Sequence, residues 1–168
     1  PRRQRQMCIR DRCSSHNYMG GDLTRNTENT ETFDVIVASK TSSHPYHSQS
    51  GSQYAYYLGG LESPTLNLPP GTYRFDQSDP SNSGTGTGNV SHPLRFYENA
   101  DKSGNTINVT TAGTLGNSGA YTEIVITSTT TTPIYYQCSS HAYMGGNLTV
   151  DNGCLLYTSD AADEVVSV

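Results

Sequence analysis

Pro133-Ile-Tyr-Tyr-Gln-Cys138-Ser-Ser-His141-Ala-Tyr-Met144-Gly-Gly-Asn-Leu-Thr-Val150 is the stretch that decides how this chain reads. Ile134 to Cys138 is an aromatic, apolar run of strand character, Asn147 to Val150 is another, and Gly145-Gly146 supplies a turn between them. The connecting loop carries a thiol, an imidazole and a thioether. Thiolate and imidazole bind several transition metals, and a thioether added to them selects copper. A second imidazole lies about 45 residues upstream, in Ser91-His92-Pro93-Leu94-Arg95-Phe96, where it opens another strand-like segment. His92, Cys138 and His141 are the candidate trigonal ligands, with Met144 as a weak, long axial ligand.

A distant His followed by C-x-x-H-x-x-M before the final strand resembles the cupredoxins, the type 1 blue-copper family, and the loop spacing is similar to the amicyanin type rather than the longer plastocyanin loop. Glu62-Ser-Pro-Thr-Leu-Asn-Leu-Pro-Pro-Gly-Thr-Tyr-Arg-Phe75 is similar to the family's proline-led strand, Pro-Gly turn and aromatic-ended strand ahead of the first His. The resemblance covers residues 31 to 151. More narrowly, Lys40-Thr-Ser-Ser-His-Pro-Tyr-His47, Phe75-Asp-Gln-Ser-Asp79, His92-Pro-Leu-Arg-Phe-Tyr97 and Tyr136-Gln-Cys-Ser-Ser-His141 together resemble tandem cupredoxin-like repeats of environmental sequences. The resemblance implies an all-β, Greek-key β-sandwich of seven or eight strands, one copper per complete repeat, and one-electron transfer with an unidentified redox partner protein. One position departs from it. Many cupredoxins carry Asn directly after the first His, where it bonds across to the ligand loop; this chain has Pro93, which puts the rigidity and potential of the site in question.

The composition independently favours β structure. Twelve Tyr, no Trp and abundant Thr, Ser and Gly separate short apolar runs in a chain of 168 residues, a length that suits one domain with a buried core. No long stretch has helical periodicity. Strands are expected at Phe33 to Ala38, Tyr54 to Leu58, Thr65 to Leu68, Thr72 to Phe75, His92 to Tyr97, Ala120 to Thr127, Ile134 to Cys138 and Asn147 to Val150, with a Ser/His/Gly-rich loop from Lys40 to Gln53.

Both ends of the chain look foreign to that domain. Met7-Cys-Ile-Arg-Asp-Arg12 and Leu156-Tyr-Thr-Ser-Asp-Ala-Ala-Asp-Glu164 resemble translated sequencing-adapter read-through, so residues 1–12 and 152–168 are set aside from the fold, and Cys8 and Cys154 with them. Half of the basic residues fall in the first twelve positions, and residues 13 to 153 carry five basic and eleven acidic side chains. Such a body repels nucleic acid and anionic membranes. No apolar run is long enough for a transmembrane helix and no signal peptide is visible, so insertion in a membrane is not expected, and an extracytoplasmic place follows from the family resemblance alone. Sequons at Asn89, Asn108 and Asn147 are what a chain rich in Asn, Ser and Thr contains by chance.

The chain also repeats itself. Cys13-Ser-Ser-His-Asn-Tyr-Met-Gly-Gly-Asp-Leu-Thr24 matches residues 138 to 149 at ten of twelve positions, with an offset of 125 residues. Residues 13–30 therefore read as the end of an upstream repeat plus a linker, and the neighbouring repeats as partners in a tandem array. Cys13, His16 and Met19 have no distant His of their own and are not expected to form a site.

Other readings compete. Zinc accepts the same thiolate and imidazoles. Four cysteines permit disulfides, although Cys13 and Cys138 occupy equivalent places in successive repeats. His44 and His47 could form a second metal site or cover the first. Asp76, Asp79 and Asn82 lack the spacing of a calcium loop and suit turns, and Thr85-Gly-Thr-Gly88 lacks the Lys and helix of a phosphate loop. Four protein ligands leave no open position, so the domain is expected to carry electrons rather than act as an enzyme on its own. The alternative from another class is a structural or adhesive β-sandwich repeat of a surface protein, with copper absent or only stabilising.

Overall fold

The computed structural model describes residues 30–151. Alternation of apolar and polar side chains drives strand formation from the first element: in β1 (Glu31–Ser39), Val35 and Val37 are buried while Asp34 and Ile36 are exposed. β2 (Tyr54–Leu58), β3 (Leu61–Glu62), β4 (Leu66–Leu68) and β5 (Gly71–Asp76) follow. A long loop with two short 3-10 turns, Pro80–Asn82 and Thr87–Asn89, leads to β6 (Leu94–Tyr97). β7 (Thr106–Ile107), β8 (Thr110–Ala112), β9 (Tyr121–Ile126), β10 (Ile134–Cys138) and β11 (Asn147–Val150) complete the order.

These strands form two mixed sheets, one in the order β3-β2-β1-β5-β9-β8 and one in the order β4-β11-β10-β6-β7. β1 runs parallel to β5, and β11 parallel to β4, while the other pairs are antiparallel. The described residues are therefore an all-β sandwich. Its core is aromatic where the sheets meet: the ring of Phe75 on β5 packs edge-on to Phe96 on β6, with centroids 5.3 Å apart, and stacks with Tyr136 on β10 at 6.4 Å. All three are fully buried, and each contributes about 1.5–3 kcal/mol of hydrophobic stabilisation. Pro69-Pro70 carries the chain from one sheet to the other, and the Tyr73 hydroxyl donates to the Pro69 carbonyl at 2.6 Å.

Two expectations need correction. Among the described residues there are eleven strands rather than seven or eight; β3, β7 and β8 are edge pieces of two or three residues, too short to carry a periodic signal. His92 does not open a strand either. β6 begins at Leu94, because Pro93 has no N–H to give to the ladder. The adapter-like segments 1–12 and 152–168 and the loop copy containing Cys13, His16 and Met19 lie outside the described residues.

Candidate metal centre

The antiparallel register between β6 and β10 sets Cys138 opposite Leu94, so the thiol at the end of β10 lies beside the segment that precedes β6. His92 is in that segment. A tight turn, closed by the His141 N–H donating to the Cys138 carbonyl at 3.3 Å, folds the second imidazole back over the same thiol. Cys138 Sγ is 3.8 Å from Nδ1 of His92 and 3.5 Å from Nδ1 of His141. The three atoms all lie within 4.8 Å of one another and make a group able to hold a metal ion. His92 and Cys138 are fully buried and His141 is half-buried, its ring 5.2 Å from that of His92.

The fit to a single ion follows from bond lengths. With the bond lengths zinc takes, about 2.0–2.1 Å to nitrogen and about 2.3 Å to sulfur, an ion at the centre of the group needs N···S edges of roughly 3.6–3.8 Å. Both measured edges lie within about 0.1 Å of that range.

Hydrogen bonding prepares His92 for this role. Its Nε2 is 2.9 Å from the Thr87 carbonyl oxygen, which can only accept, so Nε2 carries the proton and the Nδ1 lone pair faces the thiol. Burial pushes the His92 pKa down, the Thr87 bond partly offsets this, and nearby His141 lowers it further. The His92 backbone is held as firmly: its N–H donates to the Asn82 carbonyl at 3.0 Å, and its carbonyl accepts from the Tyr56 hydroxyl at 2.9 Å and Gln77 Nε2 at 2.8 Å. Burial, and then the Cys138 sulfur, raise the pKa of Tyr56 well above the ordinary phenol value, which keeps its hydroxyl a donor.

Met144 is fully buried and belongs to the same apolar cluster as Cys138. Its N–H donates to Gln137 Oε1 at 2.8 Å, and its carbonyl accepts from the Tyr56 N–H at 2.8 Å and the Ser63 hydroxyl at 3.0 Å. Gly145 must be glycine, since a Cβ there would stand 1.8 Å from the Tyr136 carbonyl oxygen.

The Lys40–Gln53 loop packs on the ligand loop. The rings of Tyr46 and Tyr143 are 5.4 Å apart, and Tyr143 has a φ of 60°, the left-handed region that bulky residues rarely adopt. His44 is buried, and both of its nitrogens are engaged: Nδ1 accepts from the Tyr46 N–H at 2.9 Å and Nε2 faces the Met144 carbonyl at 3.4 Å. It therefore joins the two loops rather than offering a lone pair to a second metal, and burial lowers its pKa. His47 is exposed. Asp76 and Asp79 each accept the backbone N–H two residues ahead, at 2.7 and 2.9 Å, which is the turn role expected of them. Buried Asn82 donates to the Val35 carbonyl at 2.8 Å.

The sequence named the four candidate ligands, and the structure gathers His92, Cys138 and His141, with Met144 buried in the adjoining cluster. The supporting side chains Gln77, Gln137 and Ser63 were not found from sequence; an amide side chain inside an apolar strand, as in Tyr135-Tyr136-Gln137-Cys138, was the available signal.

Fold and site together define an all-β sandwich with a buried His-Cys-His group able to hold a metal ion at one of its loop ends. No family model matches the chain, and neither a curated protein nor a solved structure matches it. No helix among the described residues is long and apolar enough to cross a membrane.

Proposed function

We propose that residues 31 to 151 are a cupredoxin-like Greek-key domain that binds one copper ion and passes single electrons. The observation that carries this reading is the pair of Nδ1 atoms at 3.8 and 3.5 Å from one buried thiol, with the opposite nitrogen of His92 committed to the Thr87 carbonyl. His92, Cys138 and His141 would hold the ion in a plane, with Met144 as the axial ligand. Copper bound there would supply a one-electron couple, with thiolate and thioether favouring the reduced ion and the imidazoles serving both states.

The remaining contribution is that of the protein. Bonds to the backbones of His92 and Met144 hold the ligands in place when the charge changes, which keeps reorganisation small. Burial excludes water from Cys138 and His92. Four protein ligands would leave no place for a substrate, which supports an electron carrier over an enzyme. The redox partner would be another protein, and the setting extracytoplasmic. The internal repeat of residues 13 to 24 at 138 to 149 favours a second reading, a structural or adhesive repeat of a surface protein in which copper is absent or only stabilising.

Anaerobic titration with Cu(II), followed by visible spectroscopy, tests the first reading against the second. One equivalent should bind and produce an intense thiolate-to-copper charge-transfer band. A colourless complex, or no tight binding, would leave the structural reading.

A further inference from the structure

We infer that Gln137 is a positioning residue that sets where Met144 stands relative to the His92–Cys138–His141 group, and so tunes the bound metal; this rests on the copper reading above. Gln137 is fully buried. Its Oε1 accepts two consecutive backbone N–H groups, from Met144 at 2.8 Å and Gly145 at 3.0 Å. Because both partners are donors, the side-chain amide has one allowed orientation. Its Nε2 is then buried with no hydrogen-bond partner among the described residues.

That unmet donor identifies what the position needs. A buried unsatisfied amide N–H costs about 1–3 kcal/mol. Glu would present the same oxygen without the extra donor, but it would place a negative charge next in sequence to Cys138, whose thiolate is the ligand. Gln is the side chain that gives a neutral acceptor at this reach.

The bond matters because, among the described residues, Gln137 is the partner that holds the Met144 N–H. On the carbonyl side, Met144 is fixed by the Tyr56 N–H and the Ser63 hydroxyl, with His44 Nε2 at 3.4 Å. With both polar backbone groups held, the freedom left to Met144 is its side-chain rotamer. Gln137 also adjoins Cys138 in the chain, so one residue ties the thioether's backbone to the strand that carries the thiol. Loss of the oxygen would leave two buried N–H groups without an acceptor and free the loop to move away from the thiol.

Gln137→Leu and Gln137→Glu in the full chain test this with two readouts. In the metal-free protein, amide hydrogen exchange at Met144 and Gly145 should be at least tenfold faster in the Leu variant and near the parent rate in the Glu variant, with β1 and β9 amides unchanged in both. In the copper-loaded protein, the charge-transfer band and the reduction potential should shift in the Leu variant, while the Glu variant, which keeps the loop in place but adds a negative charge, should show a lower potential than the parent. If Gln137→Leu does not fold, Gln137→Asn, one methylene too short to reach the loop, carries the same comparison. Parent-like exchange and band in the Leu or Asn variant would overturn the role of Gln137 alone. A parent protein with no charge-transfer band would overturn the copper reading and the tuning role with it.

Discussion

The backbone N–H of Ser139 donates to the carbonyl oxygen of Pro93 at 2.9 Å, joining the residue after the thiol to the residue after the buried imidazole. Pro93 lacks the side chain that an Asn would use to cross between the two segments, yet the crossing is made by main chain. The buried Gln77 amide ties the imidazole segment to the end of β5 instead, donating to the His92 carbonyl and, at 3.2 Å, accepting from the Leu94 N–H. The register of β6 against β10 sets the thiol and imidazole segments side by side.

Cys138→Ser should abolish the charge-transfer band and leave the sandwich folded. The thiolate is the source of the transition, and a hydroxyl of similar shape removes little buried apolar surface. Far-ultraviolet circular dichroism of both proteins, with visible spectra after addition of Cu(II), checks the two halves of this statement.

Copper stoichiometry should be one, and it should remain one when residues 1 to 23 are deleted. Cys13, His16 and Met19 copy the ligand loop without a distant His. A double variant, His44→Ala with His47→Ala, should also bind one equivalent, since both His44 nitrogens are engaged in joining loops and His47 is exposed. Equilibrium dialysis with metal analysis measures all three; a fall from two equivalents to one in either variant would show a second working site.

Ala142→Lys should slow electron self-exchange with little change in copper affinity. Ala142 follows half-buried His141 on the ligand loop, and the charge would alter approach of a second molecule without touching a ligand. Nuclear magnetic resonance line broadening in mixtures of oxidised and reduced protein gives the rate. Unchanged exchange would remove this face as the route for electrons, and immeasurably slow exchange in the parent protein would favour the structural alternative.

Gly145→Ala should destabilise the metal-free domain by about 1–3 kcal/mol or more, as overpacking does. The added methyl would overlap the Tyr136 carbonyl oxygen, and that atom belongs to β10 and cannot move aside alone. Urea denaturation, with the slope unchanged and the midpoint lowered, is the expected result.

Much of this architecture was legible in the sequence. β2, β10 and β11 occupy the expected residues because each has aromatic or branched side chains bounded by Gly, Pro or Ser. The His92–Cys138–His141 group was legible for a similar reason, since thiol and imidazole keep their chemistry wherever the chain puts them. β3, β7 and β8 were not, because they exist through pairing with a longer neighbour rather than through a pattern of their own. Ser63 was equally hidden: its partner Met144 is 81 residues away, and nothing local to Ser63 distinguishes it from a turn serine. The double engagement of His44 likewise becomes visible only when the two loops are brought together.

The places of the first and last strands have a mechanical consequence. β1 lies between β2 and β5, and β11 lies between β4 and β10, so neither is at a sheet edge. Tension on β1 or β11 would therefore act on two ladders at once rather than on one. β11 begins three residues after Met144. A force that drew β11 lengthwise, once those ladders gave way, would pass to the Gly145–Gly146 turn and to the Met144 backbone that Gln137, Tyr56 and Ser63 hold.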